Sequence, residues 1–131
     1  MSRIEKSSLE AALARVEYLP DRTPEMAFEG GAERAFTELA KLGVGGVYLT
    51  HYSGDSEWER HSAGDELVLA LDGTTTVVLF EEEAEVRIPL GPRELVVVPA
   101  GTWHRFEGSQ RLQVLTVTPQ PTDHRLEWPT D

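Results

Sequence analysis

Not one of the 131 residues is cysteine, which excludes disulfide scaffolds, thiolate nucleophiles and cysteine-ligated zinc or iron–sulfur centres together. Long hydrophobic runs are missing too. The longest span a few residues, against the roughly 20 needed to cross a bilayer. The opening Met1-Ser2-Arg3-Ile4-Glu5-Lys6 continues into charged sequence without the apolar core of a signal peptide, so the cytoplasm is the expected location. Positive charge is scarce: 12 Lys and Arg stand against 23 Asp and Glu, a formal net charge of −11. A surface that acidic repels phosphate backbones and anionic lipid, so neither nucleic acid nor a membrane is an expected partner. No Gly-x-Ser-x-Gly elbow, P-loop or dinucleotide fingerprint occurs. Gly43-Val44-Gly45-Gly46 precedes a strand instead of opening a helix, which makes it a turn and not a phosphate cradle.

What is present is a globular composition, 40% hydrophobic and 27% charged, at a length suited to one domain. The strong helical pattern lies near residues 8–18. Ser7 and Glu10 have the spacing of a capping box, Leu9, Ala12, Leu13 and Val16 recur at helical spacing, and Pro20 and Pro24 stop the run. From about residue 33 the texture changes to short β-type runs: 35–40, 44–52, 57–61, 66–71, 74–80, 85–90, 95–98, 103–106 and 112–118. Asp72-Gly73 has the composition of a type I′ hairpin turn, and Glu81-Glu82-Glu83-Ala84 reads as a second, solvated hairpin tip. The pattern is all-β, a sandwich or barrel, over residues 33–119, preceded by a helix and arm (1–32). The Pro-rich tail (120–131) reads as irregular. Leu67–Leu71 and Val96–Val98 are apolar on both faces, so the outer face needs cover, and a homodimer is the simplest one.

Two segments carry candidate chemistry. In Trp58-Glu59-Arg60-His61, strand alternation turns Glu59 and His61 to one face, and the turn from Ser62 to Asp65 returns the chain so that Glu66 starts the next strand near them. In Pro99-Ala100-Gly101-Thr102-Trp103-His104, a tight turn delivers His104 at the start of a strand. Two imidazoles with one or two carboxylates and no thiolate suit a divalent Fe, Mn, Ni, Zn or Co ion. Trp58 and Trp103 should point away from that side and pack. Phe106, Val68 and Ala70 could form pocket walls, as could either Tyr48 and Tyr52 or Leu49 and His51, depending on which face of their strand is inward. His51 and His124 read as surface or satisfied core residues. Gly73 and Gly101 read as turn formers.

These segments resemble the two motifs of the cupin family. His61, four intervening residues, Glu66, six more and Gly73 match the later part of the first motif, with Gly54 near its leading glycine. Pro99-x-Gly101-x-x-His104 matches the core of the second, with Gly91 one residue farther upstream than usual. The resemblance spans residues 54–107 and implies a double-stranded β-helix, a jelly-roll barrel with the site in its mouth. It also implies His61, Glu66 and His104 as metal ligands. Where the family has the first histidine of a His-x-His step, this chain has Glu59. Glu59 could be a fourth ligand, an acid/base beside a bound substrate, or the mark of a site that has lost its metal. The functional expectation is therefore a metal-dependent enzyme of a small polar molecule, by oxidation, isomerisation or hydrolysis and elimination. Its alternative is a non-catalytic, metal-free module that binds or senses a small molecule.

Overall fold

Ser8, not Ser7, caps the N-terminal helix in the computed structural model, which describes residues 3–129: its hydroxyl accepts from the amide of Ala11 at 3.3 Å. The hydroxyl of Ser7 instead donates to the carbonyl of Leu39. The helix, α1 (Leu9–Arg15), is shorter than the expected 8–18. It ends because Val16 turns extended and the amide of Glu17 donates to the carbonyl of Arg34 at 2.8 Å, drawing the chain onto the sheet. A tertiary contact replaces the next helical turn. Ala12 and Val16 are the buried face of this segment.

Strand β1 (Leu19–Arg22) follows, then a one-turn helix α2 (Met26–Glu29) and a 3₁₀ turn over Glu33–Ala35. The remaining strands are β2 (Phe36–Leu42), β3 (Gly45–Gly54), β4 (Trp58–His61), β5 (Glu66–Glu81), β6 (Ala84–Leu90), β7 (Leu95–Val98), β8 (Trp103–Pro119) and β9 (Thr122–Arg125). Among the described residues these nine strands join in one sheet that curls into the expected all-β jelly-roll barrel. Among the described residues no helix is long and apolar enough to cross a membrane.

The frame is the antiparallel pair β5–β8, in register from Leu67 opposite Val117 to Phe80 opposite Trp103. Each member was expected as two strands and is one. Asp72-Gly73 is therefore not a hairpin turn but an irregularity inside β5, because both halves of β5 pair with β8 and not with each other. Gly73 is needed there: its φ is +76°, and a Cβ would meet the carbonyl oxygen of Arg111 at 2.3 Å. Bulges of this kind bend a long ribbon, which is how two strands can cross from one wall of a barrel to the other. The tip at residues 81–84 does form a hairpin, with Glu82 and Glu83 both at positive φ (52° and 65°), the backbone that the type I′ turn demands. The hairpin tip expected there is thus formed without asparagine or glycine, the usual carriers of such a turn.

The barrel core contains Tyr52, Val68, Ala70, Val77, Leu79, Leu90, Val98, Phe106, Leu112 and Val114. Trp58 and Trp103 lie outside it in a second cluster with Val78 and Phe80, on the opposite face from the histidines, as alternation requires. Leu95 and Val97 stay about half exposed in the single chain. The tail is not irregular: β9 pairs antiparallel with β4 along its whole length, from Trp58 opposite Arg125 to His61 opposite Thr122. The first segment joins the sheet as well. β1 pairs parallel with β3, Leu19 opposite Tyr52 and Arg22 opposite Gly54.

Candidate metal centre and adjoining cavity

One row of cross-strand partners builds the site. Glu59 on β4 lies opposite His104 on β8 and opposite His124 on β9, so all three side chains share the inner face. Two residues along β4, His61 occupies the same face, and two residues back Glu57 does too. Backbone bonds lock the two motif turns together. The amide of Gly101 donates to the carbonyl of His61 at 2.9 Å, and that of Ala100 to Oδ1 of Asp65 at 2.8 Å. This is why Glu66, just after Asp65, arrives between the imidazoles.

His61, Glu66 and His104 are all buried, His104 to 1% exposure. Nε2 of His104 lies 2.9 Å from Oε1 of Glu66, and Nε2 of His61 lies 3.3 Å from Oε2. The rings are 5.2 Å apart. Close as they are, these groups do not have hydrogen-bond geometry: Nε2 of His61, Nε2 of His104 and Oε1 of Glu66 are buried with no hydrogen-bond partner. Glu59 belongs to the same cluster, since Glu59, His61 and His104 each offer a ligand atom within 4.8 Å of the others. Its own approach to Nε2 of His61 is 3.8 Å.

The outward nitrogens explain the orientation. Nδ1 of His104 donates to the carbonyl of Thr102 at 3.0 Å. Thr122 gives its proton to Oε1 of Gln120 at 3.0 Å, so its oxygen accepts from Nδ1 of His61 at 2.9 Å. In the neutral form both rings would therefore carry the proton on Nδ1 and turn an Nε2 lone pair toward Glu66. Lone pairs facing a carboxylate repel unless a cation lies among them or a ring takes up a proton. The hydroxyl of Thr118 donates to Oε2 of Glu66 at 2.6 Å and fixes the carboxylate.

Electrostatics follow from this crowding. For Glu66 burial acts to raise the pKa, but His104 and His61, as protonated rings in the absence of a cation, outweigh it and hold the carboxyl at about 2. For His104 burial acts to lower the pKa, and Glu66 and Glu59 together raise it. For Glu59 burial first, then the charges of Glu57 and Glu66, outweigh the lowering by His104 and Arg22 and push it up to about 7. The donor set, the orphaned atoms and the fixed tautomers fit a divalent cation.

A cavity of about 460 Å³ opens beside these groups. Glu59 and Glu66 form its charged floor, and Tyr48, Thr50, Tyr52 and Phe106 part of its walls. The tyrosine face of β3 is thus the inner one. His51 is not among the cavity residues and packs tilted against Tyr18, ring centroids 4.8 Å apart. Phe106 is a wall as expected, whereas Val68 and Ala70 belong to the core below.

Five participants escaped the sequence reading: Arg22, Glu57, His124, Thr118 and Thr122. His124, read as a surface or satisfied core residue, lines the cavity with Nδ1 at 2.6 Å from Oε2 of Glu57. Glu57 is 2% exposed and also accepts from Nη2 of Arg22 at 3.3 Å. Burial acts to raise the pKa of Glu57, but the bond from His124 and the charge of Arg22 lower it. That of His124 is raised, by Glu57 first. The one local signal for Glu57 was its parity with Glu59 and His61. Nothing local pointed to Arg22 or His124, whose partners lie 35 and 67 residues away.

Residues 47–118 match the family model of the cupin domain. The fold is similar to that of a cupin superfamily protein from Desulfitobacterium hafniense DCB-2, at TM-score 0.56 and 24% identity, covering 64% of this chain and 74% of that one. It is similar to a cupin-2 domain containing protein from Shewanella frigidimarina, at TM-score 0.53 and 19% identity over 69% of this chain and 79% of that one. The oxalate decarboxylase of Lactobacillus farciminis, solved as a formate complex, is similar over 60% of this chain and 26% of its own, at TM-score 0.53 and 16% identity. At these identities the likeness is one of fold. No curated protein matches the chain.

Proposed function

This chain belongs to the cupin domain family, and from that premise we propose that it is a metal-dependent enzyme of a small polar molecule, with His61, Glu66 and His104 as ligands and Glu59 as a fourth ligand or acid/base. The observation that carries the proposal is the set of three buried, orphaned atoms, Nε2 of His61, Nε2 of His104 and Oε1 of Glu66. Leaving such groups unmet costs about 1–3 kcal/mol each, so a fold that keeps them together has a use for them. A divalent Fe, Mn, Ni, Zn or Co ion, when bound, supplies Lewis-acid polarisation of a substrate oxygen or of water.

The chain's own residues do the rest. Thr122, Thr118 and the carbonyl of Thr102 hold the donors in orientation. Tyr48, Tyr52 and Phe106 give the substrate an aromatic wall that limits water beside the ligands. Glu59, at the boundary of ligands and cavity with a pKa near 7, is placed to hold or release a proton at its carboxyl oxygen near a bound molecule.

The departure at Glu59 also favours a second reading, a metal-free module that binds a small molecule in the same cavity. Elemental analysis of protein purified without chelator or metal-affinity resin separates the two. Near-stoichiometric Fe, Mn, Ni, Zn or Co supports the enzyme. No metal, together with no thermal stabilisation on adding any of them, overturns it in favour of the module. Glu59→Gln then assigns that residue: loss of metal marks a ligand, and retained metal with lost turnover marks an acid/base.

A further inference from the structure

The cavity has a second polar end, and the fold spends two long-range contacts to build it. Arg22 comes from β1, outside the matched family region, and lines the same cavity as Glu59 and Glu66. Its side chain is 7% exposed. The guanidinium carbon lies 4.5 Å from the ring centre of Tyr52 and 5.0 Å from that of Phe36. Ring contacts occupy the faces of a guanidinium, so what it offers a ligand is its in-plane edge of N–H donors. Glu57 takes one nitrogen, Nη2, at 3.3 Å. Glycine makes this placement possible: a Cβ on Gly54 would meet the backbone oxygen of Arg22 at 2.2 Å, so β1 can approach β3 only where Gly54 stands.

We propose that Arg22 anchors a carboxylate of the substrate through the free edge of its guanidinium, so that the ligand is a small organic acid lying between Arg22 and the His61–Glu66–His104 centre. The proposal rests on the preceding reading for the identity of the substrate cavity, and it does not need the metal to be present. The planar fork matches a planar carboxylate in bidentate fashion. Glu57 beside it disfavours a dianion such as a phosphate ester, because a second negative charge would face that carboxylate. The aromatic walls Tyr48, Tyr52 and Phe106 suit an acid with an apolar body.

Calorimetric titration of benzoate and acetate, each against its neutral amide, tests this in EDTA-treated and in metal-loaded protein. At least one acid is expected to bind tenfold or more tightly than its amide in the metal-free wild type. Arg22→Met is expected to bring that ratio to about one, and Arg22→Lys, which keeps the charge and loses the fork, to leave a smaller preference. Inorganic phosphate is expected to compete poorly. A ratio of one in the wild type, no binding of either acid at millimolar concentration, or a ratio untouched by Arg22→Met overturns the proposal, and tight phosphate binding overturns the choice of carboxylate. If Arg22→Met does not fold, the guanidinium NMR resonances of the wild type decide: they shift on adding the acid that binds, and unmoved resonances overturn the anchor. Acid binding that needs metal and ignores Arg22 leaves the metal centre standing and removes the anchor. Acid preference lost with Arg22 in metal-free protein leaves the anchor standing whatever elemental analysis finds.

Discussion

Two buried glutamates, Glu57 and Glu66, both bear on Glu59, and they are served in opposite ways. Glu57 is saturated: His124 bonds one carboxylate oxygen at 2.6 Å and Arg22 the other at 3.3 Å. Glu66 is flanked by two imidazoles at comparable distances, yet its Oε1 has no hydrogen-bond partner, and neither has the Nε2 facing it. Counting charges would have called both of them ion pairs. Geometry separates them. A closed network holds elements together, whereas donors that converge without bonding one another leave room for a cation.

The largest effects should come from breaking that contrast directly. Glu66→Gln and His104→Ala are each expected to lower metal affinity about 100-fold while the protein stays folded, read by elemental analysis and by thermal unfolding. Full metal occupancy in both would mean that the centre lies elsewhere. Glu57→Gln should do the reverse, keeping metal and losing about 3–5 kcal/mol of stability, since it leaves Arg22 buried without its countercharge. Equal metal loss at both glutamates would erase the distinction.

Acidity sharpens the comparison further. Glu59, raised from 4.5 to about 7, makes a contribution to metal-free stability that is complete below pH 4.5 and lost as pH climbs through 7. Each unit is worth about 1.4 kcal/mol. Glu66, lowered from 4.5 to about 2, behaves oppositely: its contribution is present above pH 4.5 and lost as pH falls through 2. Between pH 5 and 7.5 the metal-free wild type should therefore lose melting temperature, and Glu59→Gln should lose less. Parallel curves would show that Glu59 ionises freely. Thr122→Val, which removes only the acceptor behind His61, is expected to weaken metal binding about 10-fold with little change in stability. The smallest effect belongs to His51→Ala, within about 0.5 kcal/mol and without change in metal, because that ring packs on Tyr18 outside the cavity.

Much of the site was legible because it depends on short-range rules. Strand alternation put Glu59 and His61 on one face and the tryptophans on the other, and the turn at residues 62–65 brought Glu66 back beside them. The long strands were misread for the same reason. Asp72-Gly73 looks like a turn to anything that sees only its neighbours, and it becomes a bend inside β5 because Arg111 and Gln113 on β8 stand opposite it. The tail looked irregular because Pro121 and Pro129, just after Pro119, weaken any local pattern, while its pairing with β4 is made by residues some 60 positions away.

By itself, then, the sequence determined the all-β class through its periodicity, and its resemblance to the cupin motifs implied the barrel and singled out His61, Glu66 and His104. Only the tertiary structure decided that Arg22 from the first strand and His124 from the last share a cavity with that trio, and that Glu57 and Glu66 differ in what surrounds them. The reason is physical. Alternation along a strand is set by covalent geometry, but which strand lies beside it, and in what register, is set by burying faces contributed from the whole chain.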